Sequence, residues 1–334
     1  MQSASVPVEV SSIFAGKLRR YHGVSLLQRL LDAPTVLHNM FDMLLVVAGF
    51  LQSLIRLLAW RPGVIFLKGG FVCLPVGYAA RLLKIPYVIH DSDAHPGLTN
   101  RLLAPSAQAI ATGAPLRYYD YPKTKATYTG IPVSAAFRLL QNEEKQDAKE
   151  RFKVAKKKPL VVVVGGGLGA KRINDALINI APELIKRSSV VHVCGARQYT
   201  ELVDKVPASD DYQLVAFVSQ HMDQLIGAAD VVVSRAGASA MAELASVGAS
   251  VIIVPNSQLV GGHQLKNADI YAQADAAIVL DEQKIHSRPQ YLLETIGDLL
   301  DHPAKRQKLS RNLYDFAKPN AAKHVAQLIN KAIR

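Results

Sequence analysis

Two segments of this sequence carry residues that can hold a phosphate. The apolar run Leu160–Val164 leads straight into Gly165-Gly166-Gly167-Leu168-Gly169-Ala170. Glycines between a strand and a helix let backbone N–H groups approach an anion, because no Cβ stands in the way. The loose pattern G-x-G-x-x-A also suits a dinucleotide, which needs an acidic residue about 20 positions on, closing the next strand. That strand is Val190–Cys194, followed by Gly195-Ala196-Arg197. No carboxylate stands there, so a NAD-dependent oxidoreductase loses its support. No Gly-Lys-Ser/Thr closes the loop, so the Walker pattern fails as well. A nucleotide-sugar or other phosphate site remains, beside a plain structural turn.

The second segment is Val231-Val232-Val233-Ser234-Arg235-Ala236-Gly237-Ala238-Ser239-Ala240-Met241-Ala242-Glu243. It reads as a strand, a turn of small residues and a helix start. Small residues let a ligand lie against the backbone, and the helix N-terminus offers unpaired donors. Glu243 falls in the first turns of that helix. It can simply complement the helix dipole, or it can accept two hydrogen bonds from ribose hydroxyls. A third loop follows Val254, and His263 and Gln264 open the next helix. In open parallel sheets, ligands sit beyond the carboxyl ends of the strands. The loops after Val164, Ser234 and Val254 are therefore expected to meet at one cleft.

The first half offers Lys68-Gly69-Gly70 and the run His90-Asp91-Ser92-Asp93-Ala94-His95-Pro96-Gly97. Asp91-Ser92-Asp93 spells the D-x-D pattern of metal-dependent sugar transfer, but three-residue matches arise by chance, and no metal is expected. His95 and Asp93, with Asp91 beside them, are the groups here that could take a proton.

These residues need rigid elements to position them. Strands are predicted at 64–67, 87–90, 109–112, 160–164, 190–193, 231–234, 251–254 and 277–280. Helices are predicted at 74–83, 98–103, 171–186, 220–228, 240–247 and 262–272. Alternation of continuous apolar strands with helices predicts parallel sheets covered on both faces. The charged stretch 142–158 has no strand pattern and reads as a solvated helix. The domain change is placed near 134–157, giving a domain at 1–134 and one at 135–334, whose last helix could pack back on the first. Residues 306–334 read as one or two helices rich in Lys and Arg.

The chain has 334 residues, 49% of them hydrophobic, enough for two α/β cores. A formal net charge of +12 attracts phosphate groups, on lipid or on a diphosphate substrate. Neither an aromatic RNA-binding signature nor zinc-finger spacing is present, so nucleic acid ranks low. Cys73 and Cys194 read as two buried reduced thiols. Met43–Trp60 is nearly long enough to span a bilayer, but Gln52, Ser53 and Arg56 interrupt it. It reads as a buried or amphipathic helix that could rest on a membrane face.

Taken together, these segments resemble the MurG family of peptidoglycan N-acetylglucosaminyltransferases. The matching pieces are Ala15–Tyr21, Lys68–Val72, His90–Asn100, the Gly165 turn, Ser234–Gly237, Glu243 and Gln264–Ala268. The resemblance implies the GT-B fold, two Rossmann-like, doubly wound parallel-sheet domains with the active site in the cleft between them. It implies inverting transfer of GlcNAc from UDP-GlcNAc to undecaprenyl-diphosphate-linked MurNAc-pentapeptide, without a cofactor. The anionic lipid acceptor would place the chain peripherally on the cytoplasmic face of the cell membrane. By position, Glu243 would hold the ribose, and Ala238, Ser239, Ala240, Met241 and Ala242 would line the nucleotide and phosphate pocket. The backbone of Val218 would contact uracil, Gln264 the sugar, and Asp93 would lie near the donor. Gly167 belongs to the phosphate turn, where the family usually carries Ser. Gly69, Gly70, Pro96 and Gly97 fall on the acceptor side. Ser134 stands where the family often has Arg. Family members begin with a strand and a Gly-rich turn ending in His, which Met1–Val10 does not supply. Donor binding is thus the firmer expectation, and turnover by this chain a separate one. The alternatives are another GT-B transferase with a lipid acceptor, or a non-catalytic UDP-sugar-binding protein.

Overall fold

A computed structural model of the chain describes residues 8–17, 33–155, 158–166, 170–257 and 262–333. Helix α1 (Ala33–Trp60) comes first and packs on α2 (Cys73–Leu82). Two of its polar interruptions, Gln52 and Arg56, face the segment 8–17. Gln52 Oε1 accepts from Phe14 N–H (2.9 Å), and Arg56 donates to Ser11 Oγ (2.9 Å) and to the Ser12 carbonyl (2.8 Å). The crossing needs glycine. A Cβ on Gly49 would stand 1.9 Å from the Phe14 carbonyl oxygen. Away from these contacts α1 leaves Leu37, Phe41, Leu44, Val47, Leu51, Ile55 and Leu58 exposed at three- and four-residue spacing. The helix is therefore amphipathic and mostly uncovered rather than buried, and it starts ten residues before the predicted Met43.

Four parallel strands make the first sheet, in the order β1-β2-β3-β4. They are β1 (Ile65–Leu67), β2 (Tyr87–Asp91), β3 (Ala109–Thr112) and β4 (Ala126–Tyr128), with α3 (Leu98–Leu103) between β2 and β3. Strand β2 is buried along its whole length, which puts His90 and Asp91 inside the protein. Helix α4 (Asn142–Arg151) carries the charged stretch and is anchored by Lys149 pairing with Asp230 (2.9 Å).

The second sheet holds β5 (Leu160–Val164), β6 (Ser189–Val193), β7 (Tyr212–Val215), β8 (Val231–Ser234), β9 (Val251–Ile253) and β10 (Ile278–Val279). The order is β10-β9-β8-β5-β6-β7, all parallel. The chain builds outward from β5 to β7, then returns to the other side of β5. Loops after β5 and β8 therefore leave in opposite directions and open a crevice between them. Helices α5 (Lys171–Leu184), α6 (Ala196–Leu202), α7 (Met222–Gly227), α8 (Ala238–Ser246) and α9 (His263–Gln273) connect these strands. Val161 and Val163 pack with Ile173, Leu177 and Ile180 of α5, while Val162 packs with Leu225, Met241 and Leu244 on the other face. Both faces are covered, which is why the strands are continuously apolar.

After β10 come α10 (Glu282–Ser287), α11 (Gln290–Asp301), α12 (Pro303–Tyr314) and α13 (Ala321–Ala332). Helix α13 lies against β2 and β3 of the first sheet. The approach to it is tight: a Cβ on Gly130, whose φ is +77°, would stand 2.4 Å from Lys318 Cβ. Strands β4 and β7 and helices α6, α10 and α11 were not visible as sequence patterns. β4 and β7 are short edge strands, so neither shows a long apolar run. Of the two thiols only Cys194 is buried. Cys73 is partly exposed at the start of α2, where it donates to the Gly69 carbonyl (2.9 Å).

Candidate functional site

The predicted turns leave the adjoining ends of β5 and β8, where Val164 pairs with Ser234. Gly165 N–H donates to the Val193 carbonyl (3.3 Å), and Gly166 has φ +82°, a conformation that glycine adopts without strain. Gly167 lies outside the described residues. Gly237 caps α8 in an extended conformation, and its carbonyl accepts from Met241 N–H (2.9 Å). The N–H groups of Ala238, Ser239 and Ala240 thus precede the first intrahelical bond. Ala238 and Ala242 line the cleft between the two sheets, opposite Ser92, Ala94 and Tyr128. Ser239 is exposed. Met241 differs from its neighbours, because its side chain is fully buried in the core and leaves only backbone for a ligand.

Glu243 sits in the second turn of α8, half-buried. Burial raises its carboxyl above the usual range, and among the described residues no cation or hydrogen-bond donor engages it. A desolvated acceptor of this kind favours a ligand that brings hydroxyl donors. Val218 is half-buried in the loop after β7, beside the exposed Phe217. Gln264 Oε1 accepts from Asn256 N–H (2.8 Å), which ties the start of α9 to the loop after β9.

Asn267 joins the two sheets' loops, a role the sequence did not single out. Its side-chain oxygen accepts from Ala94 N–H (2.8 Å). Its amide nitrogen donates to Asp93 Oδ1 (3.0 Å) and to the Ala236 carbonyl (3.0 Å). One buried amide therefore holds the first-sheet loop, α9 and the turn before α8. The only prior signal was its membership in the run Gln264–Ala268.

On the first-sheet side, Gly69 and Gly70 both adopt positive φ, +82° and +83°. A Cβ on Gly69 would stand 3.1 Å from Asn100 Nδ2, so the turn rests directly on that buried amide. Pro96 is buried, and Gly97 caps α3. His95 is half-buried, and burial followed by the nearby charges of Lys266, His263 and Arg101 lowers its pKa. A ring held neutral in this way can accept a proton. The His263 ring is 3.8 Å from Asp93, too far for a hydrogen bond.

Asp91 is buried, and its Oδ2 accepts from Tyr121 OH (2.7 Å). Desolvation outweighs that bond and pushes the carboxyl up to about 7. The Tyr121 ring stacks on Tyr119, whose hydroxyl donates to the Asp93 carbonyl (2.7 Å). Asp91 and Asp93 are thus engaged by separate donors, Tyr121 and Asn267, an arrangement that does not suit a D-x-D cation pair.

Comparison with known proteins gives this geometry a context. Residues 6–112 match the glycosyltransferase family 28 N-terminal domain, and residues 160–327 match the family 28 C-terminal domain. A relative from Treponema pallidum is 33% identical over 99% of this chain and 84% of its own length. One from Lachnoclostridium phytofermentans is 33% identical over 84% of this chain and 77% of its own. Both are named UDP-N-acetylglucosamine–N-acetylmuramyl-(pentapeptide) pyrophosphoryl-undecaprenol N-acetylglucosamine transferase. The crystal structure of Acinetobacter baumannii MurG superimposes with a TM-score of 0.69 at 25% identity, over 87% of this chain and 79% of that one.

The buried Asp91 has a consequence for stability. Its folded-state pKa, about 7, lies above the ordinary 3.8, so the native state binds this proton more tightly than the unfolded chain. Stability is therefore lost as pH rises through that window and stays lower above it. Asp91→Asn keeps an acceptor for Tyr121 but carries no charge. Its melting temperature relative to the native chain should be higher at pH 8 than at pH 5, by roughly 3–6 °C for a cost of this order. Thermal scans at both pH values check this. An equal offset at both would show that Asp91 does not carry the burden.

Proposed function

The chain belongs to the MurG family of glycosyltransferase family 28 and is an N-acetylglucosaminyltransferase; on that premise we propose that it transfers GlcNAc from UDP-GlcNAc to undecaprenyl-diphosphate-linked MurNAc-pentapeptide. The observation that carries this reading is Glu243, a half-buried carboxylate that no donor among the described residues engages, one and a half turns into a helix that begins at the strand-order reversal. UDP fits that description: its ribose brings two vicinal hydroxyl donors to Glu243. Its diphosphate lies against the N–H groups of Ala238, Ser239 and Ala240 and of the turn at Gly165. The helix dipole of α8 and the fixed N–H donors stabilise the charge that gathers on the leaving diphosphate. Uracil lies against the backbone of Val218, and Gln264 is within the loop cluster that meets the sugar. Ala242 and the backbone of Met241 complete the wall.

The acceptor enters from the first-sheet side, past Gly69, Gly70, Pro96 and Gly97. Its hydroxyl oxygen bonds to the anomeric carbon from the face opposite UDP, and the bond from that carbon to the diphosphate oxygen breaks. The hydroxyl proton goes to a base, for which His95 and Asp93 are the candidates. His95 is the better suited, because burial and then its charged neighbours keep the ring neutral while the Asp93 carboxylate is engaged by Asn267.

The lipid-linked acceptor calls for a membrane contact, and α1 supplies one. Its exposed stripe from Leu37 to Leu58 is apolar, while Gln52 and Arg56 are tied to residues 11–14. That anchoring suits a helix lying in the cytoplasmic membrane face rather than crossing it. The net charge of +12 adds attraction to anionic lipid.

Two measurements check these readings. Calorimetric titration should show saturable UDP-GlcNAc binding, stronger than UDP-glucose binding. Glu243→Ala should weaken it at least about tenfold, since hydrogen bonds to a charged group contribute about 1.5–3 kcal/mol each. Equal affinity in the variant would remove the ribose role, and no binding by the folded native chain would remove the donor site. For the membrane, the native chain should float with vesicles containing anionic lipid, and the double variant Leu44→Glu/Ile55→Glu should not. Flotation of both would show that α1 is not the contact.

A further inference from the structure

Behind the donor turns lies a buried ion cluster that the catalytic reading does not use. Glu282, the first residue of α10, is almost wholly buried. One of its carboxylate oxygens pairs with the Arg172 guanidinium in the first turn of α5 (3.2 Å), and the other pairs with Arg235 in the turn after β8. Arg235 is itself largely buried, and its second nitrogen donates to the Val254 carbonyl at the end of β9 (3.1 Å). One carboxylate thus ties together the three loops that form the crevice: the helix start after β5, the turn after β8 and the end of β9.

We propose that Glu282 is a positioning residue for the donor diphosphate, and that its two-arginine clamp sets the spacing between the phosphate-facing turns. The inference rests on the donor site proposed above. The Gly165 turn and the Ala238 helix start belong to separate strands, and their backbone N–H groups can grip one diphosphate only if their separation is fixed. Glycine and alanine side chains are too small to fix it by packing against each other. The clamp does so from below through charge-assisted, geometrically specific guanidinium–carboxylate bonds. The cluster also keeps one positive charge in excess beside the turns, two guanidiniums to one carboxylate.

Positioning and charge make opposite predictions for Glu282→Gln. Removing the carboxylate raises the local positive charge, so a purely electrostatic role would tighten anion binding. Loss of the clamp would loosen the turns and weaken it. The test is calorimetric titration of the native chain, Glu282→Gln and Glu282→Asp with UDP and with uridine. Glu282→Gln should bind UDP about tenfold more weakly while its uridine affinity stays within about twofold of native. Glu282→Asp, which keeps the charge on a shorter arm, should recover part of the UDP affinity. Unchanged or tighter UDP binding by Glu282→Gln, when the native chain binds UDP, overturns the positioning role alone. Equal loss of UDP and uridine shows a general structural defect and overturns it too. Failure of the native chain to bind UDP overturns the donor reading and this inference with it.

Discussion

The side-chain amide of Asn267 is the point on which the relation between the two halves of this protein depends. The two sheets have their own cores, and a small apolar cluster of Ala94, Ala114, Tyr119 and Ile270 bridges them. The cleft between them is useful only at one spacing. Asn267 sets that spacing with three hydrogen bonds, one into the Ala236 turn and two into the loop at Asp93 and Ala94. Its burial makes those bonds hard to exchange for water. Losing the amide would leave the buried Ala94 N–H and the Ala236 carbonyl short of a partner, at about 1–3 kcal/mol each. Helix α13, which crosses back to the first sheet beside Gly130, adds a second constraint on the same spacing.

Three carboxylates near the strand ends show how the same side-chain chemistry is put to different uses by its surroundings. Glu282 is matched by two arginines and acts as a joint. Asp91 is buried with only neutral donors, Tyr121 and Asn100, and desolvation outweighs them, so it holds its proton into the neutral range. Glu243 has no protein donor among the described residues, which is the state expected of a group waiting for a ligand. Read together, they separate structural charge from binding charge without reference to any bound molecule. The difference lies in which carboxylates the fold has already satisfied.

Much of this was legible in the chain before its structure. The continuous valine runs at 160–164 and 231–234 imposed parallel central strands, and the small residues after them marked the turns that diverge at β5 and β8. Glu243 stood out because an acid follows those small residues at helical distance. The hidden part has a common physical character. Asn267, Glu282 and Tyr121 act on groups far away in sequence, and Asn267 reaches 174 positions to Asp93. No local spacing encodes such a contact. Met241 shows the converse limit, since a residue within the pocket-lining run turns its side chain into the core. The amphipathic character of α1 was half visible, because Gln52 and Arg56, which interrupt it, are explained only by the segment they hold.

The most direct test is the rate of GlcNAc transfer from UDP-GlcNAc to lipid-linked MurNAc-pentapeptide, measured at saturating donor for the native chain and for Asn267→Ala, with UDP affinity measured on the same samples. If the Asn267 amide sets the geometry of a working cleft, the native chain transfers the sugar. The variant then binds UDP within about threefold of native while its kcat falls at least about tenfold. Transfer by the variant at the native rate would contradict that role, and no transfer by a native chain that binds UDP would contradict the catalytic reading.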